Sequence, residues 1–175
     1  VGSEMCIRDR LYDAPEHLKS IINRFVEKSG VKEPLSVKIQ TNLPPSRGLG
    51  SSAAVAVAFV RASYDFMDQP LDDKTLIKEA NWAEQIAHGK PSGIDTQTIV
   101  SNKPVWFKQG QAEKLKSLKL NGYMVVIDTG VKGSTKQAVE DVHVLCESDE
   151  YMKYIEHIGT LVHSASESIE QHDFH

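Results

Sequence analysis

Residues 43–60, LPPSRGLGSSAAVAVAFV, constrain the fold of this chain more than any other stretch. Gly48 and Gly50, followed by the small residues Ser51, Ser52, Ala53 and Ala54, lead into a run that stays apolar to Val60. The pattern predicts a loop and then a helix from residue 51 to about 66, rich in alanine and valine on all sides. A helix without a polar face has no side to give to water, so it must be a central element with others packed around it. The apolar run falls far short of the roughly 20 residues that a bilayer span requires.

The flanking sequence can supply that cover. Asp13 is placed to cap a helix reaching Ser29, with Pro15 in its first turn and Glu16 completing a capping box. Leu18, Ile21, Ile22, Phe25 and Val26 repeat at helical spacing, and Gly30 ends the pattern. Leu35, Val37 and Ile39 alternate with Ser36, Lys38 and Gln40, which predicts a half-buried strand. Asp72 or Asp73 caps a further helix that closes near Gly89. The turn-rich GKPSGID then leads into an expected short strand at residues 98–100, and KPVWFK and GYMVVIDTG read as two more. Helices are expected over residues 134–146 and 151–171. In the second, Ile155, Ile158, Leu161, Val162, Ala165 and Ile169 form an expected buried stripe. Helices and strands mix without strict βαβ alternation, so the fold class is α+β.

Composition removes several function classes. A net charge of −4 with no basic run gives no reason to expect a nucleic-acid partner. The start of the chain carries Glu4, Arg8, Asp9 and Arg10 and has no apolar core of the signal-peptide kind, so no membrane partner is expected. Cys6 and Cys146 have neither metal-site spacing nor a disulfide framework, which suits a reducing cytoplasm. The histidines lack the HExxH spacing of a zinc site, and solvated helix faces account for His157 and His163. The first ten residues, VGSEMCIRDR, have no period or turn logic. They resemble adapter-derived sequence and read as non-native.

Glycines followed by small residues let a ligand approach the backbone, and the helix behind them offers unpaired N–H groups and the positive end of its dipole. Such a loop suits an anion, phosphate above all. A plain N-cap with a tight turn would have the same composition. GLGSSA also fits a dinucleotide fingerprint, but that motif needs a strand after its helix, and here a second helix follows.

Two carboxylates follow. Glu84 lies four and eight residues after Ala80 and Leu76, on or beside the apolar stripe of its helix. A carboxylate there is costly unless it meets a cation, a metal or, at the stripe's edge, solvent. Asp95 follows the rigid Pro91–Gly93 turn. It can serve as an Asx-turn residue, or as a carboxylate that takes a proton from a substrate hydroxyl beside bound phosphate. A phosphate cradle, a metal carboxylate and an orienting base are together the parts that phosphoryl transfer needs.

PPSRGLGSSAA, with HGKPSGID downstream, resembles the GHMP kinases and, within them, the mevalonate kinases. DTGVKGSTKQAV is similar to the bacterial enzymes of Gram-positive cocci, and the resemblance covers residues 11–174. It implies an ATP- and Mg²⁺-dependent kinase with mevalonate as its small-molecule substrate. The implied nucleotide loop is Pro45, Arg47, Gly48, Leu49, Gly50, Ser51, Ser52 and Ala53, with Ser52 and Glu84 on Mg²⁺. Asp95 would take the proton from the mevalonate hydroxyl. His88, Ser92, Gly93 and Thr135 would lie toward the substrate, although for His88 a helix C-terminal role suffices.

The family's early-strand lysine with its GEH motif, and its C-terminal glycine-rich motif, have no counterpart here. The chain therefore reads as an internal fragment, inactive or nearly so by itself. Residues 11–132 would be a partial N-terminal domain, and residues 133–175 the opening of a ferredoxin-like C-terminal domain. Without the first strands, the strand at residues 35–41 would expose an edge and invite association, such as a homodimer. Two other readings stay open: a related kinase acting on homoserine or galactose, and a nucleotide-binding or structural module without catalysis.

Overall fold

The computed structural model describes residues 3–6, 15–33, 35–44, 47–89, 91–108, 110–114, 123, 125–131, 133–146 and 148–171. Asp13 and Pro45 lie outside the described residues, as do the expected boundaries at residues 10–11 and 132. The chain forms two compact units, Val1–Val100 and Ser101–His175.

In the first unit, α2 (Ser51–Phe66) spans the predicted residues and sits at the centre. Helix α1 (Glu16–Ser29) and helix α3 (Asp73–His88) pack against it and against each other. Leu18, Ile21, Ile22 and Phe25 of α1 meet Ala56, Val57, Phe59 and Val60 of α2 and Leu76, Ala80 and Ala83 of α3 in one cluster. Phe25 stands edge-on to Phe59 at 5.8 Å and to Phe66 at 5.9 Å between ring centroids. Such edge contacts add about 0.5–1.5 kcal/mol each to the burial itself.

The ends of these helices differ in how well the sequence anticipated them. Asp72 caps α3 as expected, accepting from the Thr75 amide at 2.7 Å. Helix α1 begins later than the capping box implied. Pro15 is extended, with φ −54° and ψ 145°, so it becomes the N-cap, and Glu16 is the first helical residue rather than the third.

Strand β2 (Ser36–Ile39) lays Val37, Ile39 and the neighbouring Leu35 on the helix layer. Its partner is β1 (Ser3–Cys6), antiparallel, with Ser3 opposite Ile39 and Cys6 opposite Ser36. The edge expected to lie open is thus paired by residues from the segment that reads as non-native. Backbone pairing needs only extended backbone, so it does not bear on the origin of those residues.

Residues 98–100 are not a strand. They form the second half of α4 (Ile94–Ser101). The Gly93 carbonyl accepts from the Gln97 amide at 3.0 Å, and the Thr98 hydroxyl donates to the Ile94 carbonyl at 2.8 Å. Thr96 and Val100, four residues apart, both turn inward. These contacts override the strand preference of the Thr98, Ile99 and Val100 side chains.

The second unit holds the hairpin β3 (Val105–Lys108) and β4 (Gln111–Lys114), then α5 (Thr135–Leu145) and α6 (Asp149–Gln171). Strand β3 was expected and β4 was not. The pair is antiparallel, with Val105 opposite Lys114. Trp106 of β3 meets His163 of α6 edge-on at 6.2 Å. GYMVVIDTG supplies no strand among its described residues, and Val125, Val126 and Ile127 are exposed. An apolar run becomes a strand only where a neighbour takes its hydrogen bonds, and no described residue does so here. The α6 stripe has the helical spacing but not the burial: Ile155, Ile158, Leu161 and Val162 are all exposed.

Candidate active site

The glycine loop and the two carboxylates converge at the start of α2. Gly50 is its N-cap, left-handed at φ 63°, and its carbonyl accepts the first helical hydrogen bond, from Ala54 at 2.9 Å. The amides of Ser51, Ser52 and Ala53 are therefore the orphan donors that every helix start carries. Among the described residues no side chain caps this end. Three N–H groups and a helix dipole are left to hold an anion. Gly48 is also left-handed, and Leu49 between the glycines is exposed. Arg47 is half-buried.

Glu84 reaches this point from α3. Leu76, Glu79, Ala80, Ala83 and Glu84 all lie on the buried face of that helix. Glu84 is only 4% exposed, and its Oε1 accepts from the Ser52 hydroxyl at 2.6 Å. Two hard oxygen donors thus meet beside the anion cradle. That donor set fits Mg²⁺, which takes one or two protein oxygens and completes its shell with phosphate and water. Among the described residues no group of three or more acidic, histidine or cysteine side chains could hold a metal.

Asp95 lies in the first turn of α4. A Cβ built on Gly50 would lie 3.6 Å from Asp95 Cγ and 3.8 Å from its Oδ1. The carboxylate therefore stands against the N-cap of α2, exposed to whatever the loop binds. Glycine at position 50 serves the left-handed backbone, since a Cβ there would meet Asp95 only at ordinary contact distance.

The supporting residues are less uniform. Ser92 Oγ accepts from the Ile94 amide at 3.3 Å, and Gly93 turns the chain at φ 82° against the side chain of Asn81. His88 is the last residue of α3. Thr135 opens α5 in the second unit, behind its N-cap Ser134. Asn81 escaped the sequence reading, since an asparagine beside Trp82 on a helix carries no signal of a site.

A second charged cluster lies away from the loop. Arg24 Nε donates to Glu79 Oε2 at 2.9 Å, Lys28 Nζ bonds the other carboxylate oxygen, and the Arg24 guanidinium lies 4.8 Å above the Trp82 ring. Burial pushes the Glu79 carboxyl up. The hydrogen bonds and charges of Arg24 and Lys28 outweigh burial and hold it below the ordinary glutamate value. The cluster ties α1 to α3 and behind it stands the wall of α2.

Residues 16–102 match the family described as GHMP kinases N terminal domain. The chain is 33% identical over 155 residues to mevalonate kinase of Pyrococcus abyssi, covering 87% of this chain and 46% of that protein. It is 36% identical over 117 residues to mevalonate kinase of Aeropyrum pernix, covering 66% and 36%. Among solved structures, mevalonate kinase from methicillin-resistant Staphylococcus aureus MRSA252 matches with a TM-score of 0.72 at 60% identity, over 95% of this chain and 54% of that one. The chain spans about half the length of these relatives or less.

Proposed function

Because this chain belongs to the GHMP kinases, we propose that the protein carrying it transfers the γ-phosphoryl group of ATP to the primary alcohol of mevalonate, giving 5-phosphomevalonate. The observation that carries the reading is the meeting of Ser52 and Glu84, 2.6 Å apart, at an uncapped helix start faced by Asp95.

The amides of Ser51, Ser52 and Ala53 receive the phosphates, with Gly48 and Gly50 letting the backbone approach them. Ser52 and Glu84 hold Mg²⁺, which when bound neutralises charge on the phosphates. Asp95 accepts the hydroxyl proton of the alcohol as its oxygen bonds to the γ-phosphorus and the bond from that phosphorus to the β–γ bridging oxygen breaks, releasing ADP, or it orients that hydroxyl where the transition state is loose. Ser92 and Gly93 set the turn that presents Asp95. The family resemblance assigns Pro45, Arg47 and Leu49 to the nucleotide and His88 and Thr135 to the substrate. The location proposed is the cytoplasm, which supplies ATP and Mg²⁺. No described helix is long and apolar enough to cross a membrane.

A nucleotide-binding module without catalysis would have no use for a carboxylate against the N-cap of α2. The full-length protein tests the reading. Asp95→Asn is expected to keep ATP binding and to lower turnover by about 10²–10⁴-fold. Turnover that survives the substitution removes Asp95 from the role of base. A coupled assay with mevalonate, homoserine and galactose as acceptors tests the substrate, and preference for either of the last two overturns it.

A further inference from the structure

The start of α4 lacks something that a neighbouring helix is placed to give. Its first helical bond runs from the Gln97 amide to the Gly93 carbonyl, so Gly93 is the N-cap. Ser92 Oγ serves the Ile94 amide. The amides of Asp95 and Thr96, second and third in the helix, find no acceptor among the described residues. Those are the two amides that an N-cap side chain normally serves, and glycine has no side chain to do so.

The space where such a side chain would sit is taken. A Cβ built on Gly93 would lie 3.4 Å from Nδ2 of Asn81 and 3.8 Å from its Oδ1. Asn81 Oδ1 is buried and has no hydrogen-bond partner, and the same holds for Oγ1 of the fully buried Thr96. Unsatisfied buried polar atoms are few in folded proteins, and each calls for a physical reason. Here an acceptor without a donor stands beside donors without an acceptor, and asparagine is among the strongest capping residues.

We propose that Asn81 is a positioning residue for Asp95, capping the N-terminus of α4 from α3. In that role its Oδ1 accepts from the free amides. The consequence is geometric. Asn81 and Glu84 are three residues apart on α3 and share a side of that helix. One rigid helix thus holds the metal carboxylate and also fixes the turn that carries the base, setting the separation of the two. Fixing reacting groups in this way is where small displacements cost most rate. The proposal rests on the kinase reading above.

The test uses the full-length enzyme. Asn81→Ala is expected to lower kcat at least about tenfold while KM for ATP stays within about twofold, since the nucleotide loop is untouched. Asn81→Asp restores the acceptor and should recover most of kcat. Its charge near Asp95 should also move the acid limb of the kcat–pH profile upward by about one unit. Hydrogen exchange on the unmodified protein gives a second readout that survives misfolding of a variant: the Asp95 and Thr96 amides should be protected. Unchanged kcat in Asn81→Ala, no recovery in Asn81→Asp, or unprotected amides at 95 and 96 would each overturn the proposal. Turnover of mevalonate by the unmodified enzyme tests the kinase reading separately, and amide protection does not depend on it.

Discussion

The Ser52 hydroxyl donates to Glu84 Oε1 across 2.6 Å, joining the first turn of α2 to the C-terminal half of α3. Ala53 on α2 and Ala80 and Ala83 on α3 are fully buried beside it. Short alanine side chains on both helices let the two backbones approach closely enough for serine to reach glutamate.

If this pair holds Mg²⁺, Glu84→Gln should raise the Mg²⁺ concentration for half-maximal rate by at least about tenfold, the scale seen even for residues that support metal ligands indirectly. Ser52→Ala should act in the same direction. The double substitution should fall short of the sum, with a coupling of about 0.5–3 kcal/mol, because the two side chains touch. Rates measured across a Mg²⁺ titration at saturating ATP decide it. An unchanged Mg²⁺ dependence in Glu84→Gln removes the pair from the metal.

Gly50 is expected to be intolerant for reasons of backbone rather than space. At φ 63° an L-residue is strained by about 1–2 kcal/mol, while an added Cβ would meet Asp95 only at ordinary contact distance, 3.6 Å. Gly50→Ala should therefore lower stability by about that strain, and Gly50→Asn by less, since asparagine visits this region more readily. Gly50→Val should be worse than either. Urea unfolding midpoints give the order, and equal midpoints for Ala, Asn and Val would show that the left-handed turn relaxes without cost.

Much of this was legible in the sequence because local and tertiary preferences agree there. Helix α2 announces both its start, by Gly50, and its central place, by its apolar surface. The spacing of Glu84 from Leu76 and Ala80 puts it on or beside the apolar stripe, and the structure buries it. Legibility failed where an interaction from elsewhere decided the matter. Thr98, Ile99 and Val100 look like a strand until the Gly93 carbonyl and the buried positions of Thr96 and Val100 are known. Asn81 matters only because Gly93, twelve residues on, leaves a gap that its amide fills. The stripe of α6 shows the converse, since periodicity states which face is apolar but not what covers it.

Burial itself can be checked on two isoleucines. Ile22 is fully buried in the contact of α1 with its neighbours, whereas Ile158 of α6 is 53% exposed. In this chain, Ile22→Ala should cost about 2–5 kcal/mol, as core truncations do. Ile158→Ala should stay within about 0.5 kcal/mol, as for surface sites. Denaturant unfolding of both variants settles the comparison. A large loss from Ile158→Ala would mean that the α6 stripe is covered after all.

Glu79 makes stability depend on pH in a direction that its partners fix. Its carboxyl is held below the ordinary value of 4.5 because Arg24 and Lys28 overcome the opposing effect of burial. The folded state therefore binds the proton less readily than the unfolded chain. Such a group contributes stability that is fully present above the unfolded value and is lost as pH falls through the folded one. At neutral pH, Glu79→Gln should be less stable than the unmodified protein by about 1–3 kcal/mol. That range lies between an exposed pair and a buried one, since Arg24 and Lys28 are themselves 34% and 40% exposed. The gap should hold down to about pH 5 and close on further acidification, because protonated Glu79 and glutamine are then electrostatically alike. Urea midpoints of the two proteins from about pH 7 to pH 2 trace the gap. A difference that persists undiminished at the acid end, or widens there, would show that the cluster stabilises by packing of Arg24 on Trp82 rather than by the Glu79 charge.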